Sequence, residues 1–161
     1  MTVINAMKLC IGKEEAKKIV KKVDSNVNVE EIKLIYYPYL LLEFDHITKT
    51  FFGKKVICAF CFIEMINGVE GIGTPTPTEE IDVPKEKILK IRFNREDAIK
   101  KARSYILQAV MIKKRTLVMP EIILKKEELV YKPFWLLECF KKTKFHLILD
   151  GLSGGFQVVN L

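Results

Sequence analysis

Ile35-Tyr36-Tyr37-Pro38-Tyr39-Leu40-Leu41-Leu42-Glu43 returns later in the chain as Val130-Tyr131-Lys132-Pro133-Phe134-Trp135-Leu136-Leu137-Glu138. Both stretches read aliphatic, Tyr, any residue, Pro, aromatic, bulky apolar, Leu, Leu, Glu. One constant offset aligns every position without a gap, which is unlikely to arise by chance in 161 residues. The repeat therefore indicates that the chain contains two copies of one structural unit.

The residue types of the repeated stretch are typical of a β-strand, and we predict strands over residues 29–44 and 129–140. Pro38 cannot donate to a ladder, so we expect it at an edge, a bulge or a strand end. A strand with bulky residues on both faces is usually covered on both sides. One face carries Tyr36, Leu40, Leu42 and Phe44, and the other carries Tyr37, Tyr39 and Leu41.

A helix precedes each copy of this strand. In residues 12–23, helical spacing places four apolar residues on one face: Ala16, Ile19, Val20 and Val23. Residues 94–115 show the same kind of spacing over a longer segment. Asn94 is placed to cap the second helix. Shorter strands are predicted at residues 49–52, 56–66, 88–93, 116–124, 145–150 and 156–159.

The two halves are thus predicted to have the same order of elements, and we expect an α+β fold. We expect two related units, each with one helix packed on an antiparallel sheet, arranged with pseudo-twofold symmetry. The first unit is assigned to residues 1–73, a Thr- and Pro-containing linker to 74–93, and the second unit to 94–161. Because units of this size bury little apolar surface, we expect the halves to pack on each other.

The second half also resembles a known class of module. Arg95-Glu96-Asp97-Ala98 opens the helix, and Asp150-Gly151-Leu152-Ser153-Gly154 lies in the last hairpin. This pattern resembles PepSY-like modules, and more loosely the cystatin-like class, over the last third to half of the chain and in weaker form over the first half. The resemblance implies a helix on an antiparallel sheet and a binding or inhibitory role without catalysis. Members of that family are usually secreted or attached to a membrane, but no signal-peptide or anchor pattern is visible in this sequence.

Residues 157–161 are similar to the Gln-x-Val-x-Gly hairpin of cystatin protease inhibitors, but the glycine is absent. We therefore do not expect protease inhibition.

Composition sets broad limits on the class of protein. With 49% hydrophobic and 29% charged residues, the sequence is globular in type, and its formal net charge of +7 permits an anionic partner. No apolar run approaches the roughly 20 residues of a membrane span, and residues 1–9 lack a signal-peptide pattern. A cytoplasmic location is the expectation. The chain ends directly after an apolar segment, which leaves open whether it is a fragment of a longer protein.

The cysteines and histidines do not form a recognisable site. Cys58 and Cys61 have metal or redox spacing, but residues three apart on a strand point to opposite faces, and a zinc site needs two more ligands. We expect buried cysteines that act as small apolar residues, with no metal and no cofactor. His46 and His146 do not correspond in the repeat, and we expect both at the surface.

Glu43 and Glu138 occupy corresponding positions of the repeat. Paired across a symmetry axis they could serve as an acid and a base, which is the basis of a hydrolase hypothesis. The more common reading is that each glutamate marks the end of an apolar run where the strand meets water. We favour that reading, and we predict no enzymatic activity.

Basic residues are the strongest sign of an anionic partner. If the clusters converge on one face they could contact phosphates, although no helix-turn-helix, phosphate loop or zinc finger accompanies them. A solvated lysine face is the alternative. The clusters are Lys113, Lys114 and Arg115; Lys125 and Lys126; and Lys141, Lys142 and Lys144.

The favoured hypothesis is a non-catalytic binding or regulatory module. It would recognise a protein or peptide through a sheet edge or through an aromatic groove between the units. A basic nucleic-acid-binding protein is the alternative. The sequence leaves the oligomeric state open, including a homodimer. The candidate binding residues are Tyr37, Tyr39, Phe134, Trp135, Glu43 and Glu138.

Overall fold

The protein is α+β, with two helices and a mostly antiparallel sheet of eight strands in its described part. The structure is a computed structural model that describes residues 1–114 and 119–159, without the side chains of residues 112–114. Within these residues neither helix combines the length and apolar character of a membrane span. The helices are α1 (Lys13–Val23) and α2 (Arg95–Lys114); the strands are β1 (Thr2–Met7), β2 (Asn28–Thr50), β3 (Gly53–Glu64), β4 (Glu70–Ile72), β5 (Thr78–Val83), β6 (Glu121–Lys141), β7 (Thr143–Asp150) and β8 (Phe156–Val159).

The chain forms two compact units that are discontinuous in sequence. Unit 1 comprises Met1–Tyr37, Pro77–Leu89 and Tyr131–Leu161, and unit 2 comprises Pro38–Thr76 and Lys90–Val130. The sequence predicted consecutive units at 1–73 and 94–161, whereas the contacts divide the chain inside the two repeated stretches. The long strands β2 and β6 therefore each contribute to both units.

Unit 1 packs α1 on the strands of the second copy of the repeat. In this unit β6 pairs with β7, β7 with β8, and β1 with β5, all antiparallel, while β1 pairs in parallel with β6. Ala16 and Val20 of α1 are buried with Trp135, Leu137 and Leu149. Burial of this apolar face against β6 and β7 is what fixes so short a helix.

Unit 2 packs α2 on the strands of the first copy. Strand β2 pairs with β3, and β3 with β4, both antiparallel. Ala98, Ala102 and Ile106 of α2 are buried against Leu42 and Ile63. The alanines allow α2 to approach the sheet closely, and the larger side chains of the strands fill the core.

Each helix therefore packs on the strands of the other copy of the repeat. Helix α1 precedes the first repeated stretch but covers Trp135 and Leu137 of the second stretch. Helix α2 precedes the second stretch but covers Leu40 and Leu42 of the first. The sequence could not show this exchange, because helical periodicity identifies the apolar face and not the strand that covers it.

Corresponding residues of the two copies make the same backbone hydrogen bonds. The Met65 amide donates to the Pro38 carbonyl at 2.9 Å, and the Gly151 amide donates to the Pro133 carbonyl at 3.0 Å. The Met65 carbonyl in turn accepts from the two residues before Asn94, and the Gly151 carbonyl accepts from the two residues before Gly12, the N-cap of α1. Each helix start is thus anchored to a turn of the other copy.

The turns that close the two hairpins also match. The Asp150 carboxylate accepts from the amides of Leu152 and Ser153 at 2.8 and 3.2 Å, as the Glu64 carboxylate does from the amides two and three residues after it. Gly68 and Gly154 follow at corresponding positions with φ of 74° and 80°. This left-handed backbone is unfavourable for residues with a Cβ, which accounts for glycine in both turns.

Several predictions about the elements are confirmed. Helices occur over both predicted segments, and β3, β7 and β8 correspond to predicted strands. The predicted strand 116–124 lies partly outside the described residues, which resume at residue 119; β6 begins at Glu121. Strand β1 was not predicted, because residues 2–7 carry no turn signal and only a short apolar pattern.

Other predictions require correction. The expected linker 74–93 contains β5 and a 3₁₀ turn (Lys85–Lys87), and the expected strand 88–93 reduces to one bridge between Tyr36 and Ile88. The second face of strand β2 is covered only in part: Ile35 is buried, whereas Leu41 is half-buried. Pro38 lies inside β2, just before the β2–β3 ladder begins at Tyr39.

Candidate functional site

An apolar cleft in unit 2 is large enough to hold a ligand. It lies between the second half of α2 and the strands β2, β3 and β4, and its volume is about 360 Å³. Volumes in this range suit a small ligand or one large side chain of a partner. Its lining residues are His46, Ile57, Ala59, Ile72, Ile106, Ala109 and Val110.

The cleft exists because α2 is long and Ala59 is small. Helix α2 spans 20 residues, against 11 for α1, and its second half lines the cleft together with His46 and Ile57 of the β2–β3 ladder. The repeat aligns Ala59 with Phe145, whose ring packs into the core of unit 1. Replacing such a ring by a methyl group leaves room between helix and strand in unit 2.

His46 provides the polar group of the cleft. Its side chain is only 2% exposed, and its Nε2 lies 3.1 Å from Oγ1 of Thr48. The prediction of a surface position for His46 is therefore wrong. His46 continues the inward alternation of Leu42 and Phe44, and extending that alternation by one step would have placed it inside. His146 is partly exposed in β7.

The walls of the cleft suit an aliphatic or aromatic group. Apolar side chains supply most of its surface, and the buried imidazole of His46 is the polar group among them. Within the described residues no group of three or more potential metal ligands occurs. The arrangement can bind an apolar group, and it presents no paired acid and base.

The predicted aromatic residues have structural roles in their own units. Tyr37 and Phe134 stack edge to face in unit 1, with ring centroids 4.9 Å apart. The Trp135 indole is 8% exposed and donates its Nε1–H to the Ile11 carbonyl at 2.8 Å. Tyr39 is half-buried and lies opposite Glu64 in the β2–β3 ladder. Trp135 is thus a core residue, and it does not line a groove.

The two repeat glutamates lie in different units with partners of their own. In unit 1 Glu138 forms an ion pair with Lys144, which lowers the pKa of the Glu138 carboxyl. In unit 2 Glu43 accepts a hydrogen bond from the Cys58 thiol at 3.2 Å. A lowered pKa is unfavourable for a general acid, so the contacts of Glu138 are those of a surface ion pair.

Each of these glutamates also lines a small cleft. The cleft at Glu138 has a volume of about 70 Å³ and includes His146, and the cleft at Glu43 has a volume of about 90 Å³ and includes Glu128. Such volumes hold a few water molecules and no substrate of ordinary size. The glutamate positions therefore match in structure as they do in sequence, without forming a ligand pocket.

The basic clusters are largely neutralised by nearby carboxylates. In unit 2 Lys125 lies 3.3 Å from Asp45, and Lys126 lies 4.0 Å from Glu128. In unit 1 Lys141 pairs with Asp24, and Lys144 pairs with Glu138. These pairs reduce the positive field that would attract phosphates.

Two parts of the basic prediction need separate mention. Lys142 occupies the β6–β7 turn with φ of 64°. The side chains of Lys113 and Lys114, and the whole of Arg115, lie outside the described residues.

The cysteine geometry agrees with the strand argument. Cys58 is exposed and Cys61 is fully buried, so the two thiols lie on opposite faces of β3. Burial raises the pKa of the Cys61 thiol to about 11, and the carboxylate of Glu43 raises that of Cys58. The expectation of buried cysteines holds for Cys61 and is wrong for Cys58, which is exposed; of the other two cysteines, Cys10 is exposed and Cys139 is buried.

Comparisons of the chain with protein-family models, with curated proteins and with solved structures gave no match.

Proposed function

We propose that the protein is a non-catalytic binding module that recognises an extended peptide segment of a partner protein at the β4 edge of unit 2. The observation that carries the proposal is the apolar cleft of about 360 Å³, which Ile72 of this edge strand helps to line. A binding role is also what the PepSY-like resemblance implies.

Strand β4 offers the backbone part of such a site. It pairs with β3 through three residue pairs and ends the strand order of the described sheet. An edge strand presents backbone N–H and C=O groups to which a further strand can bind. The apolar residue Ile72 of β4 is 57% exposed. Contact of its side chain with water is unfavourable, and a bound peptide would cover that side chain.

The cleft offers the side-chain part. In strand addition, main-chain hydrogen bonds give affinity, and pockets for alternate side chains give specificity. A leucine, isoleucine or phenylalanine of the peptide would contact Ile57 and Ile106 and approach His46. Because β4 is only three residues long, we expect dissociation constants in the micromolar range and not below it.

The substitution Ala59→Phe tests the proposal by filling the cleft. The fold accepts phenylalanine at the corresponding position of the second copy, Phe145, so the variant should remain folded. Random extended peptides displayed on phage would be selected against the wild-type protein, and their affinities measured by fluorescence anisotropy. We expect Ala59→Phe to weaken binding at least about tenfold, the effect of one lost side-chain pocket.

Val158→Ser, at an exposed apolar residue of another edge strand, β8, is the matched control and should leave affinity unchanged. A folded Ala59→Phe variant that binds the selected peptides like wild type would overturn the proposal. So would a selection that yields no peptide whose binding depends on unit 2.

Nucleic-acid binding remains the second candidate, with less support. The described lysines of the predicted patches mostly pair with carboxylates, so fewer are free to replace counterions on phosphates. This alternative requires binding of a mixed-sequence oligonucleotide with strong salt dependence. Binding that is absent at low salt would exclude it.

We further propose that the two copies of the repeat are related by pseudo-twofold symmetry. The matching hydrogen bonds at Pro38 and Pro133, and the matching turns at Gly68 and Gly154, support the proposal. An experimental structure in which no rotation superposes the two copies would contradict it.

A further inference from the structure

The β2–β3 hairpin carries an extension that the second copy of the repeat lacks. Strands β6 and β7 pair as far as Lys141 and Thr143, which correspond to the paired residues His46 and Ile57. In the first copy the ladder continues for four further pairs, from Ile47↔Val56 to Thr50↔Gly53. Residues 47–56, the hairpin extension, are therefore additional to the repeated fold.

Two phenylalanines form the tip of the hairpin extension. Phe51 and Phe52 lie in the turn, and their exposed fractions of 105% and 102% show that neither ring packs on the protein. Two-residue turns favour Asn, Asp and Gly, so turn geometry does not account for phenylalanine here. Adjacent, fully exposed aromatic rings are unfavourable in water and indicate a contact surface.

The positive charge of the hairpin extension is unbalanced. Lys49 and Lys54 face each other across the ladder, and Lys55 follows directly. Like charges directly opposite on a strand pair destabilise a hairpin. Residues 47–56 contain no Asp or Glu, and none of the three lysines forms an ion pair among the described residues. This uncompensated positive charge favours a negatively charged partner.

We propose that the hairpin extension binds the surface of an anionic lipid membrane. The Phe51 and Phe52 rings enter the boundary between headgroups and acyl chains, and the lysines two and three residues away from them contact lipid phosphates. The ladder between residues 47–50 and 53–56 pairs the backbone N–H and C=O groups of the hairpin extension with each other. The tip can therefore enter the headgroup boundary with few unpaired backbone groups.

The order of residues favours a membrane over nucleic acid. Aromatic rings that stack on bases lie among the basic residues of a groove or sheet face. In the hairpin extension the rings come first and the lysines follow, which matches an apolar layer beneath anionic headgroups. This interaction is independent of the peptide site proposed at β4.

Co-sedimentation with phosphatidylcholine vesicles, with and without phosphatidylserine, tests the inference on the full chain. We expect binding only to vesicles that contain phosphatidylserine, and release by salt. The double variant Phe51→Ser/Phe52→Ser should reduce partitioning at least about tenfold. Each of Lys49→Gln, Lys54→Gln and Lys55→Gln should reduce it about fivefold.

The matched control is Phe140→Ser/Phe156→Ser, which removes two partly exposed phenylalanines of unit 1 and should leave partitioning unchanged. A second variant replaces residues 47–56 by a single lysine, the turn of the second copy, and should abolish binding in a folded protein. In a Phe52→Trp variant, the new fluorescence should shift to the blue with anionic vesicles.

Three results would overturn the inference. The first is absence of binding to anionic vesicles at low salt. The second is binding that survives loss of both Phe51 and Phe52. The third is oligonucleotide binding that needs these phenylalanines while vesicle binding does not, which would assign the hairpin extension to nucleic acid.

Discussion

At the scale of single residues, position on a strand decides the chemistry of a side chain. Cys58 and Cys61 are three residues apart on β3, yet one thiol is exposed beside Glu43 and the other is fully buried. The thiolate is the reactive form of cysteine, and both environments disfavour it. Burial dominates at Cys61, and the neighbouring carboxylate dominates at Cys58.

These environments predict the order in which the thiols react. At pH 8 we expect iodoacetamide to modify Cys10 first and Cys58 more slowly, with Cys61 and Cys139 protected in the folded protein. With a pKa of about 11, on the order of one Cys61 thiol in a thousand is ionised at that pH, before burial further limits access. Mass spectrometry of peptides from a time course would measure the four rates.

Glu43→Gln should accelerate modification of Cys58 and leave that of Cys10 unchanged, because it removes the negative charge beside the Cys58 thiol. Glu138→Gln, at the corresponding position of the other copy, is the control and should affect neither rate. Equal rates for Cys58 in wild type and Glu43→Gln would contradict the assigned cause.

At the scale of elements, the turn after β7 is held by a charged side chain. Partial burial opposes ionisation of Asp150, but the Lys132 ammonium at 2.7 Å and the Leu152 amide outweigh it and lower the pKa of the carboxyl. A carboxyl whose pKa is lowered by folding stabilises the protein above its unfolded pKa. That contribution is lost as the pH falls through the folded pKa.

The expected result is a loss of unfolding free energy below the ordinary aspartate pKa of 3.8. Asp150→Asn keeps an oxygen that can accept from the turn amides but removes the charge. This variant should be less stable at pH 7 and should show a flatter dependence on pH between 5 and 2. Urea denaturation at a series of pH values would measure both.

Lys132→Gln provides a complementary variant, since it removes the cation and keeps the carboxylate. Without the ammonium, the folded-state pKa of the Asp150 carboxyl should be higher, so the acid-induced loss of unfolding free energy should be smaller than in wild type. An Asp150→Asn protein with the same pH dependence as wild type would show that other carboxyls dominate acid unfolding.

At the scale of the whole molecule, each compact unit contains segments from both halves of the chain. We therefore expect fragments 1–76 and 77–161 to be unfolded when expressed separately. The first fragment lacks Trp135 and Leu149, which cover α1, and the second lacks Leu42 and Ile63, which cover α2. An unpaired apolar face does not maintain a helix as short as α1.

Mixing the two fragments should restore helical circular dichroism and a cooperative urea transition. The mixture of fragment 77–161 with a fragment 1–76 that carries Leu42→Asp and Phe44→Asp is the control, and it should remain unfolded. A cooperative transition in either fragment alone would show that one copy of the repeat folds without the other.

Local patterns were sufficient to predict most elements, whereas the site depends on contacts between distant residues. The spacing of Ala16 and Val20 identified α1, and the repeat identified the long strands. The cleft depends on the length of α2 relative to the β2–β3 hairpin, and on a small residue, Ala59, where the second copy has Phe145. Neither difference is visible until the helix is known to pack on the strands of the other copy.

The exchange of helices between copies also bears on the history of the gene. In a polypeptide with one copy alone, the apolar face of the helix would be uncovered, because the strands that cover it belong to the other copy. Such an ancestor would have completed its core by trading helices with a second molecule, as a segment-swapped homodimer. Fusion of two such genes would make both partners available within one chain and would leave each copy free to diverge, one with a cleft and a lysine-flanked tip.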